Sequence, residues 1–170
     1  MTEVYLLYSR LFYFYKMKLV VCALIIHEGL LLITQHGHDS GHPLMWEFPG
    51  GKIKPGEPAE VALVREIFEE LDIEVAVDQS LEVVDYQYPG KNIRLMPFLC
   101  RWISGDITLN VHLDCKWIEP QQLFEENMLP ADFAMLNAGN NFRDLLHYAG
   151  KQTEESRENN APSGNRPQHV

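Results

Sequence analysis

The stretch from Gly50 to Ile73, GGKIKPGEPAEVALVREIFEELDI, constrains this chain more than any other. A Lys-Pro-Gly-Glu-Pro turn leads into a helical pattern from Pro58 to Leu71. Glu57 is expected as the N-cap, Pro58 suits the first helical position, and Glu60 places negative charge near the positive end of the helix dipole. Val61, Val64, Phe68 and Leu71 supply an apolar stripe for a core. Glu66, Glu69 and Glu70 fall at i, i+3 and i+4 and so emerge on one face. Clustered carboxylates repel unless a cation sits among them, and an all-oxygen ligand set favours magnesium or manganese over zinc. Arg65 adjoins the cluster and suits a bidentate contact to one carboxylate. A solvated acidic helix face is the other reading of the same spacing.

The rest of the chain supplies a sheet for that helix. At 170 residues it is long enough for one domain. Residues 18–26 and 29–34 read as strands separated by a turn at His27-Glu28-Gly29, and 35–51 as a long polar loop. Residues 73–76, 81–88, 93–102 and 112–118 read as further strands, with turns at Pro89-Gly90 and Ser104-Gly105-Asp106. A short helix is expected around Glu119–Glu126 and a longer one from Pro130 to Tyr148. Strands with one central and one C-terminal helix predict a layered α/β fold.

Residues 1–16 are aromatic-rich, but Glu3 and Arg10 interrupt them and no run is long enough to span a bilayer. They read as an extension outside the fold or as an added packing segment, with the domain at 17–150. Residues 151–170 contain almost no large apolar side chains and are expected to be a disordered tail. Cys22, Cys100 and Cys115 have no paired spacing and read as reduced thiols of a cytoplasmic protein with no membrane partner. A net charge of -10 argues against nucleic acid as a partner. It leaves room for a small polyphosphate held through divalent cations.

The spacing Gly51, five residues, Glu57, seven residues, then Arg65-Glu66-Ile67-Phe68-Glu69-Glu70-Leu71-Asp72-Ile73 resembles the Nudix box. One position departs: Asp72 stands where the box has a helix-ending glycine, at a cost of about 1 kcal/mol. WEFPGGK at Trp46–Lys52, Trp117-Ile118-Glu119-Pro120 and Leu129-Pro130-Ala131-Asp132 resemble the MutT-like and cytidine-nucleotide branch of that family. The resemblance spans about Lys18 to Tyr148 and implies a Nudix-type α/β/α sandwich with a mixed β-sheet.

It also implies magnesium-dependent hydrolysis of a nucleoside triphosphate to monophosphate and pyrophosphate, manganese being able to replace magnesium. The substrates implied are CTP, dCTP or a modified cytidine nucleotide, or oxidised dGTP. ADP-ribose or a dinucleotide is the alternative, and a non-catalytic nucleotide-binding module is another. The metal ligands implied are Glu66, Glu69, Glu70 and the Gly51 carbonyl, with Gly50 allowing close backbone approach. Glu66, Glu69 and Arg65 form the catalytic group, Arg65 with Glu57 supporting loop and helix. MutT-like enzymes carry a further glutamate where this chain has Val111. A box glutamate is therefore favoured as the base, with Asp114 as the substitute. Asp132, Gln35, Lys52 and Lys91 are the substrate-binding candidates, although Asp132 also suits a helix terminus and each lysine a solvated surface. Tyr86 and Tyr88 are placed to reach the cleft. His36, His38 and His42 read as a polar loop over the substrate, or as a zinc cluster. Either a monomer or a homodimer is expected.

Overall fold

The structure, a computed structural model, describes residues 17–160; the expectations for residues 1–16 and 161–170 fall outside it. Eight strands among these residues form one mixed sheet: β1 (Met17–His27), β2 (Leu30–Gln35), β3 (Trp46–Glu47), β4 (Gly50–Lys52), β5 (Glu74–Ser80), β6 (Val84–Tyr88), β7 (Lys91–Ser104) and β8 (Asp114–Ile118). β1 is the hub. It runs parallel to β7 from Met17↔Asn92 to Ile26↔Arg101, and antiparallel to β4 at Val20–Cys22 and to β2 at Ile26–His27. Between those last two pairings the Ala23 N–H donates to the Pro49 carbonyl, at 2.9 Å. The chain from β3 to β4 thus crosses an opening in the sheet, and the candidate site surrounds it.

Alternation along β1 builds a core on each face. Val21, Ala23 and Ile25 pack with Ala62, Leu63, Ile67 and Leu71 of helix α1 (Ala59–Leu71). Cys22, Leu24 and Ile26 pack on the other face with residues of α2 (Pro130–Leu136) and α3 (Asn141–Asn160). The expected α/β/α sandwich is present.

Helix α1 is rotated from its expected phase. Val61, Val64 and Phe68 are exposed, at 56%, 40% and 54%, and Leu71 alone of the expected stripe is buried. Burying Leu63, Ile67 and Leu71 covers larger aliphatic groups, and this phase brings Glu66 and Glu70 to the Gly50–Gly51 backbone. The helix start differs too. Pro58 occupies the N-cap without a side-chain cap, and Glu57 instead accepts from the Lys54 N–H at 2.9 Å. At the other end Asp72 adopts φ 57, ψ 32 and donates its N–H to the Phe68 carbonyl. Aspartate thus takes the left-handed conformation that glycine takes more cheaply.

Three further boundaries move. The loop over 35–51 contains β3 and β4, strands of two and three residues that only their partners define. The helix expected from Pro130 to Tyr148 is two helices, because Asn137 closes α2 and Gly139 takes φ 47 before α3. The segment from Lys151, expected as disordered, continues α3 to Asn160. Its Lys, Gln, Glu and Arg residues are good helix formers, and Thr153 donates to the Ala149 carbonyl at 3.1 Å. Thr153 also fills the space beside Gly29, where a Cβ would lie 1.9 Å from its Oγ1.

Candidate active site

Arg65 organises the loop before α1. Its Nε and Nη2 each donate to a different oxygen of Glu57 at 2.7 Å, a bidentate pair, and Nη2 also donates to the Lys52 carbonyl at 3.2 Å. Nη1 donates to Glu66 at 2.7 Å and to Glu69 at 3.3 Å. Lys54 stands 3.6 Å from the other Glu69 oxygen. The Glu57 carboxyl is pulled down to about 2, chiefly by Arg65 and then by the Lys54 N–H. The structure therefore joins Glu57, Arg65, Glu66 and Glu69 as one polar network.

Glu70 lies on the inner side of the same face and accepts from the Gly50 N–H at 3.3 Å. Burial raises its carboxyl to about 7, and Glu47 and Glu66 add to that against His112 and the Gly50 N–H. Gly51 closes the contact between loop and helix: a Cβ there would lie 2.3 Å from Glu66 Oε2. Gly50, at φ 151, has no more room, since a Cβ would meet the Val21 carbonyl at 2.2 Å. Among the described residues no three His, Cys, Asp or Glu side chains stand close enough to share one cation. Glu66 and Glu69 are turned to Arg65, and Glu70 to the Gly50 amide.

Asp132 sits across the opening. It is buried, and its Oδ2 accepts from the Phe48 N–H at 3.2 Å rather than capping α2. Burial, reinforced by Glu47, pushes its carboxyl well up. The Tyr88 hydroxyl accepts from the neighbouring Ala131 N–H, and the Tyr86 and Tyr88 rings meet edge to face. Lys91 stands over Tyr88, 5.2 Å from the ring centroid, while Lys52 is exposed beside Gly51. Gln35 is committed elsewhere: its Nε2 donates to the Leu44 carbonyl and closes the 36–45 loop.

The His loop forms no three-ligand zinc cluster. His36 Nε2 lies 2.9 Å from one oxygen of Glu47, and His112 Nε2 lies 3.1 Å from the other. His42 packs on Tyr88 and His38 is exposed. Burial alone would raise the Glu47 carboxyl, but the bonds from His112 and His36 outweigh it and hold it below its ordinary value. Glu47 interacts electrostatically with both Glu70 and Asp132. Sequence reasoning missed Glu47 and His112 as a clamp; the WEFPGGK motif contained the first of them. Asn110 was missed as well. Its Nδ2 donates to the Glu69 carbonyl at 3.0 Å and its N–H to the Glu70 carbonyl, which ties the loop before β8 to the end of α1. Val111, next to it, is 62% exposed.

Comparison with known proteins agrees with this geometry. The family model described as the NUDIX domain matches residues 16–138. The CTP pyrophosphohydrolase of Escherichia coli K12 is 33% identical over 123 residues, 72% of this chain and 91% of that protein. The 8-oxo-dGTP diphosphatase of Proteus vulgaris is 35% identical over 95 residues, 55% of this chain and 85% of that protein. The solution structure of the E. coli ORF135 protein superposes with a TM-score of 0.63 at 27% identity, over 88% of this chain and 96% of that one. The MutT protein of Methanosarcina mazei Go1 shares the fold, with a TM-score of 0.63 at 23% identity, over 81% and 96% of the two chains. The glycine loop, the Arg65–Glu57 brace and the glutamate face of α1 are those of a Nudix box, and the chain belongs to the Nudix family of hydrolases acting on phosphoric anhydrides.

Proposed function

We propose that this chain hydrolyses a nucleoside triphosphate to nucleoside monophosphate and pyrophosphate with magnesium, and that its base is cytosine. The observation that carries the reading is Glu66 and Glu70 of α1 set against the Gly50–Gly51 backbone, with Glu69 beside them on Arg65. Burial raises the Glu70 carboxyl there, Glu47 and Glu66 add to it, and a cation nearby would lower it again. Gly51 leaves no side chain between its carbonyl and Glu66. Their oxygens are the donor type of a hard divalent ion, which Nudix hydrolases generally use. Bound there, such an ion neutralises charge on phosphate oxygens.

The chain's own groups divide the remaining work. Arg65, braced by Glu57, sets the rotamers of Glu66 and Glu69. Val111 has no group to accept a proton, and Asp114 Oδ1 already accepts the Cys115 N–H at 2.8 Å. The proton of the attacking water therefore passes to a box glutamate, and Glu69, half exposed, is the more accessible one. Lys52 and Lys91 neutralise the polyphosphate from the opposite face.

Asp132 reads the base in this scheme. Burial pushes its carboxyl well above its ordinary value, and one oxygen is fixed by the Phe48 N–H. In its protonated form that carboxyl donates and accepts at once, and cytosine offers the N3 acceptor beside the N4 amino donor. Guanine and its oxidised form present a similar pair. The choice of cytosine rests on the E. coli CTP pyrophosphohydrolase, matched over 91% of its length.

Pyrophosphate and phosphate release from canonical and oxidised nucleotides, 5-methyl-dCTP, ADP-ribose and a dinucleotide, with and without magnesium, tests the proposal. Magnesium-dependent pyrophosphate from a cytidine nucleotide is the expected result. Silence from folded protein across the panel overturns the reaction, and preference for an oxidised guanine nucleotide overturns the base.

A further inference from the structure

On the sheet face opposite α1 three lysines gather. Lys18 lies opposite Ile93 in the β1–β7 ladder, and Lys52 lies opposite Val20 in the β1–β4 ladder. Side chains alternate along a strand, so Lys18 shares a face with Val20, and Lys91 shares one with Ile93. All three therefore stand on the face that carries Val20, Ile93, Leu95, Tyr86 and Tyr88. Lys18 was not among the residues singled out from the sequence.

Two observations mark the trio as a site rather than scattered surface charge. Lys91 feels both other lysines: burial lowers its pKa, and Lys18 and then Lys52 lower it further, against a smaller opposing effect of Glu47. Among the described residues none of the three is in an ion pair, whereas Lys54 is paired with Glu69 and Lys116 with Glu126. In a chain of net charge -10, three neighbouring cations outside any ion pair, with Glu47 acting on Lys91 only weakly, are a local inversion of sign. Such a cluster is stabilised by a multivalent anion. Its placement says which. Lys52 directly follows Gly51, at the glutamate site, and Lys91 lies over Tyr88, whose hydroxyl meets Ala131 beside Asp132.

We propose that Lys18 completes a three-lysine site for the polyphosphate of the substrate, and that it supplies the charge that favours a triphosphate over a diphosphate. This rests on the reading of the chain as a nucleoside triphosphate hydrolase. The length of the anion is read because the three ammonium groups come from three strands and are spread over the face. A diphosphate held at Lys52 and Lys91 leaves Lys18 without a counter-charge, and a third phosphate supplies one.

Calorimetric binding of inorganic tripolyphosphate and pyrophosphate to the full chain in EDTA tests the site without turnover. Lys18→Ala is expected to weaken tripolyphosphate about fivefold and pyrophosphate less than about twofold, as fits one exposed charge contact in a partly screened cluster. Lys18→Arg is expected to retain wild-type binding. Lys151→Ala removes the same charge from α3 and is expected to change nothing. Wild-type tripolyphosphate binding in a folded Lys18→Ala protein overturns the proposal, as does an equal loss in Lys151→Ala or no binding to wild type. The two readings fail separately. A silent nucleotide panel with Lys18-dependent tripolyphosphate binding removes only the reaction, and an active panel with Lys18-independent binding removes only the site.

Discussion

Asp132 Oδ2 accepts the backbone N–H of Phe48 across 84 positions of chain, at 3.2 Å. That bond joins the start of α2 to the peptide that crosses the sheet opening, so the proposed base-reading residue also supports the loop. Asp132→Asn keeps an acceptor for the amide and is expected to fold normally while changing the ranking of nucleotides. Asp132→Ala leaves a buried N–H without a partner and is expected to lose about 1–3 kcal/mol of stability. Thermal melts and the nucleotide panel together check both. An unchanged ranking in a folded Asp132→Asn protein removes the base-reading role.

Arg65→Lys replaces five fixed donors with a single ammonium and cannot hold Glu57 through two bonds while meeting Glu66. Supporting residues of this kind are worth about 10–100-fold in activity. The expected result is a loss of that size in kcat with KM little changed. Glu57→Gln is expected to act in the same direction, since it weakens the same brace.

Glu70 carries a partly buried carboxyl with Glu47 and Glu66 acting on it. Its carboxyl, at about 7, lies above the ordinary value of 4.5, so the metal-free fold binds this proton more tightly than the unfolded chain does. Its contribution to stability is fullest below pH 4.5 and is lost as pH rises towards 7. Glu70→Gln is expected to raise the melting temperature of the EDTA-treated protein at pH 8 and to reduce turnover by at least about 100-fold. A variant that melts lower and still turns over would break the assignment.

The His36–Glu47 pair gives a second pH dependence. The bond to Glu47 raises the His36 pKa above 6.5 despite burial, so its contribution is full below pH 6.5 and fades as pH rises through the raised value. Glu47 is held below 4.5, so its contribution is full above pH 4.5 and fades as pH falls through the lowered value. The pair therefore stabilises most between these limits. His36→Ala is expected to lower the melting temperature more at pH 5.5 than at pH 8.5, a difference that melts at the two pH values will show.

Asp72→Gly relieves the left-handed conformation at the end of α1, at some cost in unfolded-state entropy. A net gain of about 0.5 kcal/mol is expected, a rise of roughly 1–2 °C in Tm. Activity should not change, because Asp72 touches none of the candidate ligands.

Helix α1 was readable because its three glutamates, arginine and upstream glycines have fixed spacing. Its phase was not. Val61, Val64 and Phe68 form a stripe as regular as Leu63, Ile67 and Leu71, and periodicity cannot rank two apolar faces of one helix. Strands β3 and β4 were hidden for another reason: at two and three residues they have no pattern of their own and exist through their pairing with β2 and β1. The glutamates, Asp132 and two of the lysines became candidates because motif or charge singled them out. Glu47 and His112 escaped because neither is unusual locally, and 65 positions separate them.

The long parallel pairing of β1 with β7 has a consequence for how the chain acquires its shape. β1 leaves the ribosome well before β7, and the partner that covers most of its length is complete only at Ser104. Until then, among the described residues, the apolar run from Val21 to Ile26 has only β2 and β4 beside it in the sheet, and neither pairs with Leu24 or Ile25. Non-local parallel pairing is slow to close and leaves strand edges open while it waits. The nascent chain is therefore most prone to aggregate between the synthesis of β4 and that of β7, a window in which β1 is the segment for a chaperone to hold.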